Sequence, residues 1–387
     1  MHFNRITSAK ALSADIRGRT ESAAYHQVEQ LTKSNSKDFS IGVDLGGTNL
    51  RIAAYSPAHG IFDSISIPTR LDAGPLGVVE DLVHGVRDLT DRFAAAYDLA
   101  GIGVGTPGPL ELPAGRIHNP PNLPGWDGFQ LRAALESRLG REIAMGRDAN
   151  LAALAEYRLG LGRQLRVGSL CMLTLGTGVG GGIVLNGQLW EGANGMSGEG
   201  GHVIVHHDGP KCGCGSSGCL EQYASGTAIA RMARERLETG SAPGLRSLNG
   251  QNPAFTGEDV YHLACSGSPD ALEIFSRMGV ALGIGLASMI NTLNLPLYVL
   301  GGGLVSAWKF FSPSMFDEVR RRSYVFRITD LDRPDSIIPE AVRTRIMPAA
   351  LGAEAGLLGA CLLALPQDDL QFERSAEERE IRSLERP

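Results

Sequence analysis

Residues 42–56 read GVDLGGTNLRIAAYS and residues 172–187 read MLTLGTGVGGGIVLNG. Each is an apolar, β-branched run, a turn of glycine and threonine, and a second apolar run, which is the pattern of two strands joined by a tight hairpin. Its occurrence at two places in one chain points to an internal duplication, although Gly-rich hairpins are common and two in one protein can also coincide. In the first turn, Gly46 and Gly47 let the backbone approach a polyanion and turn its N–H groups inward, and Thr48 adds a hydroxyl donor. Asp44 stands just before that turn, where a carboxylate at a strand end suits Mg²⁺, either directly or through water. Taken alone, the segment fits an ordinary hairpin with a turn Asp equally well.

Working outward from the first hairpin, strands are expected at Ser40–Asp44, Leu50–Tyr55 and Ile61–Ile67, a helix near Leu76–Asp98, and a strand at Gly101–Gly105. A helix at Leu131–Leu139, a strand at Glu142–Gly146 and an Ala/Leu-rich helix from about Ala149 to Leu159 follow, and the second strand series starts at Ser169. The alternation is that of an α/β protein. Residues 1–39 are polar and end in a linker-like Ser34-Asn35-Ser36-Lys37-Asp38, so they read as a mobile extension; the tail 366–387 is dense in alternating charge and too poor in apolar surface to pack deeply.

Composition removes several classes of function. Lys and Arg total 36 against 42 Asp and Glu, a net charge of −6, so no global basic field exists to hold a nucleic-acid backbone or an anionic membrane. The N-terminus, MHFNRITSAKALSADIRGRT, has no apolar run of signal-peptide length, and the cytoplasm is the expected compartment. Val280–Leu304 is long enough to span a bilayer, but Asn291, Asn294 and Pro296 interrupt it, and a buried helix followed by a buried strand is expected instead. Two segments satisfy G-x-G-x-x-G, at 103–108 and 176–181, yet neither opens a helix after a strand. The first runs through Pro107 and Pro109, and the second leads into the strand-like Ile183-Val184-Leu185. A dinucleotide fold is thereby disfavoured, a Walker-type loop is absent, and phosphate binding between hairpin strands remains.

Two further features carry chemistry. Asp148 lies between the strand 142–146 and the Ala/Leu helix, where it can serve as helix N-cap or as a general base that accepts a proton from an attacking hydroxyl. A carboxylate has two oxygens, so one role does not exclude the other. Residues 197–226 read SGEGGHVIVHHDGPKCGCGSSGCLEQYASG, in which Cys212, Cys214 and Cys219 form C-x-C-x₄-C with glycines at 213, 215 and 218. Such a compact thiol cluster in a reducing compartment points to a structural zinc, with its fourth ligand among His202, His206 and His207. Glu199 and Glu221 flank the ligands, and a zinc loop would present them as acceptors for sugar hydroxyls.

With DLGGT at 44–48, RDAN at 147–150, LGTGVGGG at 175–182, GEGGH and CGCGSSGCLE across 198–221, and LGGG at 300–303, the chain resembles the repressor/ORF/kinase (ROK) family of sugar kinases, especially its glucokinases, over about residues 40–365. The resemblance implies the actin-like ATPase (RNase H-like) fold, two lobes around a cleft with a small zinc-binding loop. It divides the chain into an N-terminal lobe, residues 40–150, rejoined by a final helix at 351–365, and a C-terminal lobe, residues 151–350, with the zinc knuckle at 199–221. It implies ATP, Mg²⁺ and structural Zn²⁺ as cofactors. The ATP phosphates would lie between the hairpins, at Asp44, Gly46, Gly47 and Thr48 and at Gly176, Thr177, Gly178 and Gly180, with Gly301 and Gly302 near the adenosine. Asp148 becomes the base that deprotonates the sugar 6-hydroxyl. Glu199, His202 and Glu221 become the sugar-contacting set, with Gly108 approaching the sugar through its backbone, and His202 joins Cys212, Cys214 and Cys219 as zinc ligand. Family resemblance also favours a homodimer or homotetramer.

One departure stands out. Family members usually carry Asn before the catalytic Asp, contacting sugar hydroxyls, where this chain has Arg147. An Arg cannot accept a hydrogen bond, and beside Asp148 it is expected to favour the carboxylate and lower its pKa. The leading expectation is ATP-dependent phosphorylation of a hexose, glucose first, with N-acetylhexosamines and fructose as alternatives and a sugar-responsive regulator or inactive sugar sensor as the rival class. A helix-turn-helix needs three packed helices and a basic face, which residues 1–39 do not provide.

Overall fold

A computed structural model describes residues 37–366 apart from 121, 252–253 and 334–336. The expected N-terminal extension, except its last residues, and the charged tail after Pro366 lie outside the described residues. The first sheet comprises β1 (Asp38–Leu45), β2 (Asn49–Ser56), β3 (Gly60–Pro68), β4 (Asp98–Thr106) and, after a two-stranded insert of β5 (Leu110–Glu111) and β6 (Arg116–Ile117), β7 (Ile143–Arg147). Its order is β3-β2-β1-β4-β7. The first three strands form an antiparallel meander, and β4 and β7 then add in parallel.

The second sheet repeats that plan. Strands β8 (Leu170–Leu175), β9 (Val179–Leu185) and β10 (Gln188–Leu189) form the meander, and β11 (Leu297–Gly301) and β12 (Arg345–Pro348) add in parallel, in the order β10-β9-β8-β11-β12. Identical topology in both halves is the duplication expected from the two hairpins, and it is the two-lobed architecture of the actin-like ATPase fold.

The central strands are covered on both faces, which explains their unbroken apolar runs. In β1, Phe39, Ile41, Val43 and Leu45 are fully buried, and so is Ser40, whose hydroxyl donates to the Cys361 carbonyl at 2.9 Å. Helix α1 (Gly74–Phe93) lays Val79, Leu82, Val86 and Leu89 on the first sheet. It stops five residues before the expected end because Asp98 already pairs with Asp38 in the sheet. Helix α2 (Leu131–Leu139) begins and ends as expected, closing at Gly140 in the left-handed region.

Between the sheets lies a helical layer that sets the position of the candidate base. Helix α3 (Asp148–Arg158) contributes Ala152, Ala153, Leu154 and Ala155 to a cluster shared with Met172, Val299, Leu357 and Cys361. The helices from residue 226 on include α4 (Gly226–Glu238), α5 (Pro269–Leu293), α6 (Trp308–Arg322) and α7 (Ala355–Leu363), with others at Arg246–Gln251, Gly257–Cys265 and Tyr324–Thr329 between them. Helix α7 crosses α3 backbone to backbone: a Cβ on Gly359 would lie 1.9 Å from the Leu151 carbonyl oxygen. The same helix beds on the first sheet where a Cβ on Gly103 would lie 2.0 Å from the Ala360 carbonyl. Only glycine admits such approaches, so these positions fix the height of α3 between the two sheets.

The apolar stretch near the end of the second half is a helix followed by a strand, as expected. Helix α5 starts at Pro269, ends at Asn294 with φ 47°, and buries Ile274, Phe275, Met278, Leu282, Leu286 and Ile290 in the core of that half. It is long and apolar enough to cross a membrane, but it serves as a core helix, packed along α6. Each fully buried Leu or Ile of this kind contributes about 1.5–3 kcal/mol.

Candidate active site

Asp148 is the first residue of α3, and Arg147 before it has extended backbone at φ −75° and ψ 144°. The strict N-cap position therefore belongs to Arg147, which makes no side-chain cap bond, and Asp148 satisfies an end-of-helix donor from inside the first turn. Its Oδ1 accepts from the Ala149 amide at 2.7 Å, leaving Oδ2 without a partner from that turn. The carboxyl keeps an opening to solvent but is crowded by protein, and lost hydration pushes its pKa up to about 6. The Ala149 N–H works against that shift, Asp44 adds to it, and Arg147 opposes it least. Arg147 does lower the pKa, as expected, but too weakly to offset the lost hydration, so the net shift is upward rather than downward.

The reason lies in where Arg147 spends its charge. Its guanidinium, in a residue only 4% exposed, donates from Nη1 to Glu199 Oε1 and from Nη2 to the Ser197 carbonyl. Nη2 also reaches the Gly181 carbonyl and Asn150 Oδ1, each at 3.3 Å. Gly108 lies against the stem of this side chain: a Cβ there would stand 2.8 Å from Arg147 Cδ. Gly108, Arg147, Asp148 and Glu199 are thus drawn together around the start of α3.

The two hairpins lie one in each half, and the second packs directly on α3. In the first, Gly46 N–H donates to the Asn49 carbonyl at 2.9 Å, Thr69 anchors the turn through its Oγ1 on Gly46 O at 2.7 Å, and a Cβ on Gly47 would meet Asn122 O at 2.6 Å. Asp44 pairs with Arg51, which also donates to Ala353 O at 3.0 Å. This pairing was not anticipated, although Asp44 and Arg51 are direct partners in the β1–β2 register and the hairpin alone could have revealed it. In the second turn, a Cβ on Gly180 would lie 2.8 Å from Ala149 Cβ, which presses the hairpin onto the first turn of α3. Gly176 and Thr177 are tied to α4, with Gly226 N–H donating to Gly176 O at 2.8 Å and Thr227 Oγ1 to Thr177 O at 2.9 Å. Gly301 pairs with Thr174 beside that hairpin, and Gly302, at φ 86°, passes so close to Leu175 that a Cβ would meet its carbonyl at 2.4 Å.

The cysteine cluster closes as a four-donor site. His202, Cys212, Cys214 and Cys219 offer donor atoms all within 4.8 Å of one another. Cys214 Sγ lies 3.7 Å from Cys219 Sγ, and Cys212 Sγ 3.6 Å from His202 Nδ1. A tetrahedral zinc with ordinary Zn–S and Zn–N bonds requires S–S edges of about 3.8 Å and S–N edges of about 3.5 Å, and these two edges match those values. His202 belongs to a short helical turn at Gly200–His202 rather than to a strand, while the exposed His207 pairs with Asp208 and takes no part. Of the turn glycines, Gly215 and Gly218 carry positive φ, and a Cβ on Gly218 would lie 1.6 Å from His206 O. Gly213 has no such requirement.

The two flanking glutamates attach the cage to the rest of the site. Glu221 Oε2 accepts from the Val179 amide of the second hairpin at 3.0 Å, with Oε1 3.7 Å from Cys212 Sγ. Glu199 Oε2 lies 3.8 Å from His202 Nε2, the ring nitrogen opposite the one that faces the cage.

The sequence matches the ROK family over residues 40–367. The chain belongs to the ROK family. A glucokinase of Halalkalibacterium halodurans is 33% identical over 331 residues, 85% of this chain and 96% of that one. An N-acetyl-D-glucosamine kinase of Pectobacterium atrosepticum is 31% identical over 84% of this chain and 98% of that one. More distant is a xylose repressor of Bacillus subtilis, 25% identical over 79% of this chain and 75% of that one. The structure of a ROK glucokinase from Streptomyces griseus, solved with glucose and AMPPNP, superposes with a TM-score of 0.67 at 29% identity, covering 84% of this chain and 98% of that one.

Proposed function

We propose that this ROK protein transfers the γ-phosphoryl group of ATP to the 6-hydroxyl of a hexose, with glucose as substrate. The observation that carries the reading is Asp148, whose unpartnered oxygen and raised pKa, about 6, stand at the start of a helix against which the second phosphate-type hairpin packs. A base with that pKa is ionised at neutral pH and still takes a proton from a hydroxyl as the bond to phosphorus forms. Phosphoryl transfer through a loose transition state asks the protein mainly for alignment and charge stabilisation, which suits a carboxylate fixed by its own helix.

Gly46, Gly47 and Thr48 on one side and Gly176, Thr177, Gly178 and Gly180 on the other would hold the phosphates, with Gly301 and Gly302 beside the nucleoside. Asp44 would take Mg²⁺, sharing its carboxylate with Arg51; when bound, the ion supplies positive charge to the phosphate oxygens. Glu199, His202 and Glu221, tied to the zinc cage, would receive the sugar hydroxyls, and Gly108 would approach the ring through its backbone. The Glucokinase relatives support glucose as the acceptor.

The N-acetyl-D-glucosamine kinase relative keeps that sugar as a second reading. Comparing kcat/KM for the two sugars with ATP and Mg²⁺ separates them: glucose is expected to exceed N-acetylglucosamine by at least about tenfold, a difference of some 1.4 kcal/mol in transition-state binding. The reverse order would move the assignment to the N-acetylhexosamine.

A further inference from the structure

We infer that Arg147 is a positioning residue that latches the loop 197–199 of the second half onto the first sheet, so that Glu199 is in place before any sugar arrives. The consequence for sugar binding rests on the kinase reading above; the latch itself does not. Arg147 closes β7, the edge strand of the first sheet, whereas three of its four acceptors, on Gly181, Ser197 and Glu199, belong to the second half. The fourth, Asn150, lies on α3 between them. One side chain therefore joins both sheets and the layer separating them.

The chemistry of the side chain makes the latch firm. A guanidinium stays charged at any working pH, and its flat fork offers donors in several directions at once. Burying it is costly, by several kcal/mol per ion, unless its partners remain in place. Drawing the halves apart would remove Glu199, Ser197 and Gly181 together and strand the charge. The loop is shaped to accept it: Gly198 has φ 81°, and a Cβ there would stand 3.3 Å from Arg147 Nη2. The shorter, neutral Asn that the family resemblance led one to expect lacks both the charge and the reach for this set of contacts.

Two effects follow for the sugar. Glu199 Oε1 is occupied by Arg147, so Oε2, on the side of His202, is the oxygen left for a hydroxyl. A loop that is already ordered also draws less on the binding energy of the ligand. Losing Arg147 should therefore raise KM for the sugar by more than it lowers kcat.

The test measures amide hydrogen exchange in the zinc-loaded, sugar-free protein at Ser197, whose amide donates to the Glu191 carbonyl, and at Gly200 and His202, whose amides donate to the Gly198 and Glu199 carbonyls. Wild type is compared with Arg147→Asn, Arg147→Lys and Glu199→Gln, with zinc content measured for each. Arg147→Asn and Glu199→Gln should exchange at least about tenfold faster in this loop, as a local opening made easier by some 1.4 kcal/mol, with zinc retained and Arg147→Lys intermediate. Unchanged exchange in both Arg147→Asn and Glu199→Gln overturns the latch, and should Arg147→Asn fail to fold, Glu199→Gln and Arg147→Lys decide the question between them. No sugar enters this readout, so a loop that stays as protected in Arg147→Asn and Glu199→Gln as in a wild type that phosphorylates glucose refutes the latch alone. A loosened loop in a protein inert toward every sugar upholds the latch and refutes the kinase reading.

Discussion

Replacing Asp148 by Asn changes little in the fold and removes a single chemical capability. The amide oxygen of Asn can accept from the Ala149 N–H as Oδ1 does at 2.7 Å, so the first turn of α3 keeps its bond, while the amide nitrogen then faces the position of Oδ2. That nitrogen cannot take a proton. General-base assistance accounts for about 10²–10⁴ in rate, or roughly 3–5.5 kcal/mol of barrier, and this is the expected fall in kcat. Sugar affinity, read by titration calorimetry, should stay within about threefold, because binding contacts are not what the substitution removes. The pH profile gives an independent sign. With the carboxyl raised to about 6, wild-type kcat/KM should fall as pH drops through that value, since protonated Asp148 has nothing left to accept a proton. Residual activity in Asp148→Asn should lack that limb. A variant within tenfold of wild type, or one that keeps the same acid limb, would refute the assignment of Asp148 as base.

Other perturbations probe the scaffold. Cys214→Ser should release zinc, detectable by metal analysis, and raise KM for the sugar as Glu199 and Glu221 lose their common support; unchanged metal content would remove the zinc assignment. Gly359→Ala places a Cβ 1.9 Å from the Leu151 carbonyl and should destabilise by about 1–3 kcal/mol in denaturant titration, with a drop in kcat as α3 shifts. Glu156→Ala strips acceptors from the amides of Leu351, at 2.7 Å, and Leu161, at 3.2 Å, in a fully buried site. Two stranded donors at about 1–3 kcal/mol each predict a loss of about 2–6 kcal/mol in the same assay.

The hairpins made the strand–turn–strand units and their repetition legible, but a Gly/Thr turn between apolar runs fits many folds, and the two-sheet plan came from the family resemblance. Element ends were less legible. The first long helix gives way early because strand pairing of Asp98 with Asp38, a tertiary event, overrides a helical pattern that continues past Phe93. The four-donor cluster was readable from the thiol spacing together with the family resemblance, which implied His202; the helical turn at Gly200–His202 that carries that ring was not.

The electrostatics of the catalytic floor were not legible. Sequence adjacency placed Arg147 beside Asp148, but β7 and α3 meet at a corner, and the guanidinium finds Glu199 more than fifty residues away. Protein crowded around the solvent-open Asp148 carboxyl then outweighs Arg147 and reverses the expected direction of its pKa. Arg51, Asn150 and Ser197 escaped notice because their roles depend on contacts that fold across register or between halves; of these, only Arg51 left a trace, in the hairpin pairing with Asp44.

The central claim is phosphoryl transfer to a hexose, and its most direct measurement follows ³¹P resonances in a mixture of the full-length protein, ATP, Mg²⁺ and glucose. The account predicts that γ-phosphate signal is replaced by a sugar monoester together with ADP, that omitting glucose stops the conversion, and that Asp148→Asn slows it by orders of magnitude. ATP left intact with glucose and with every hexose and N-acetylhexosamine offered in its place would contradict it.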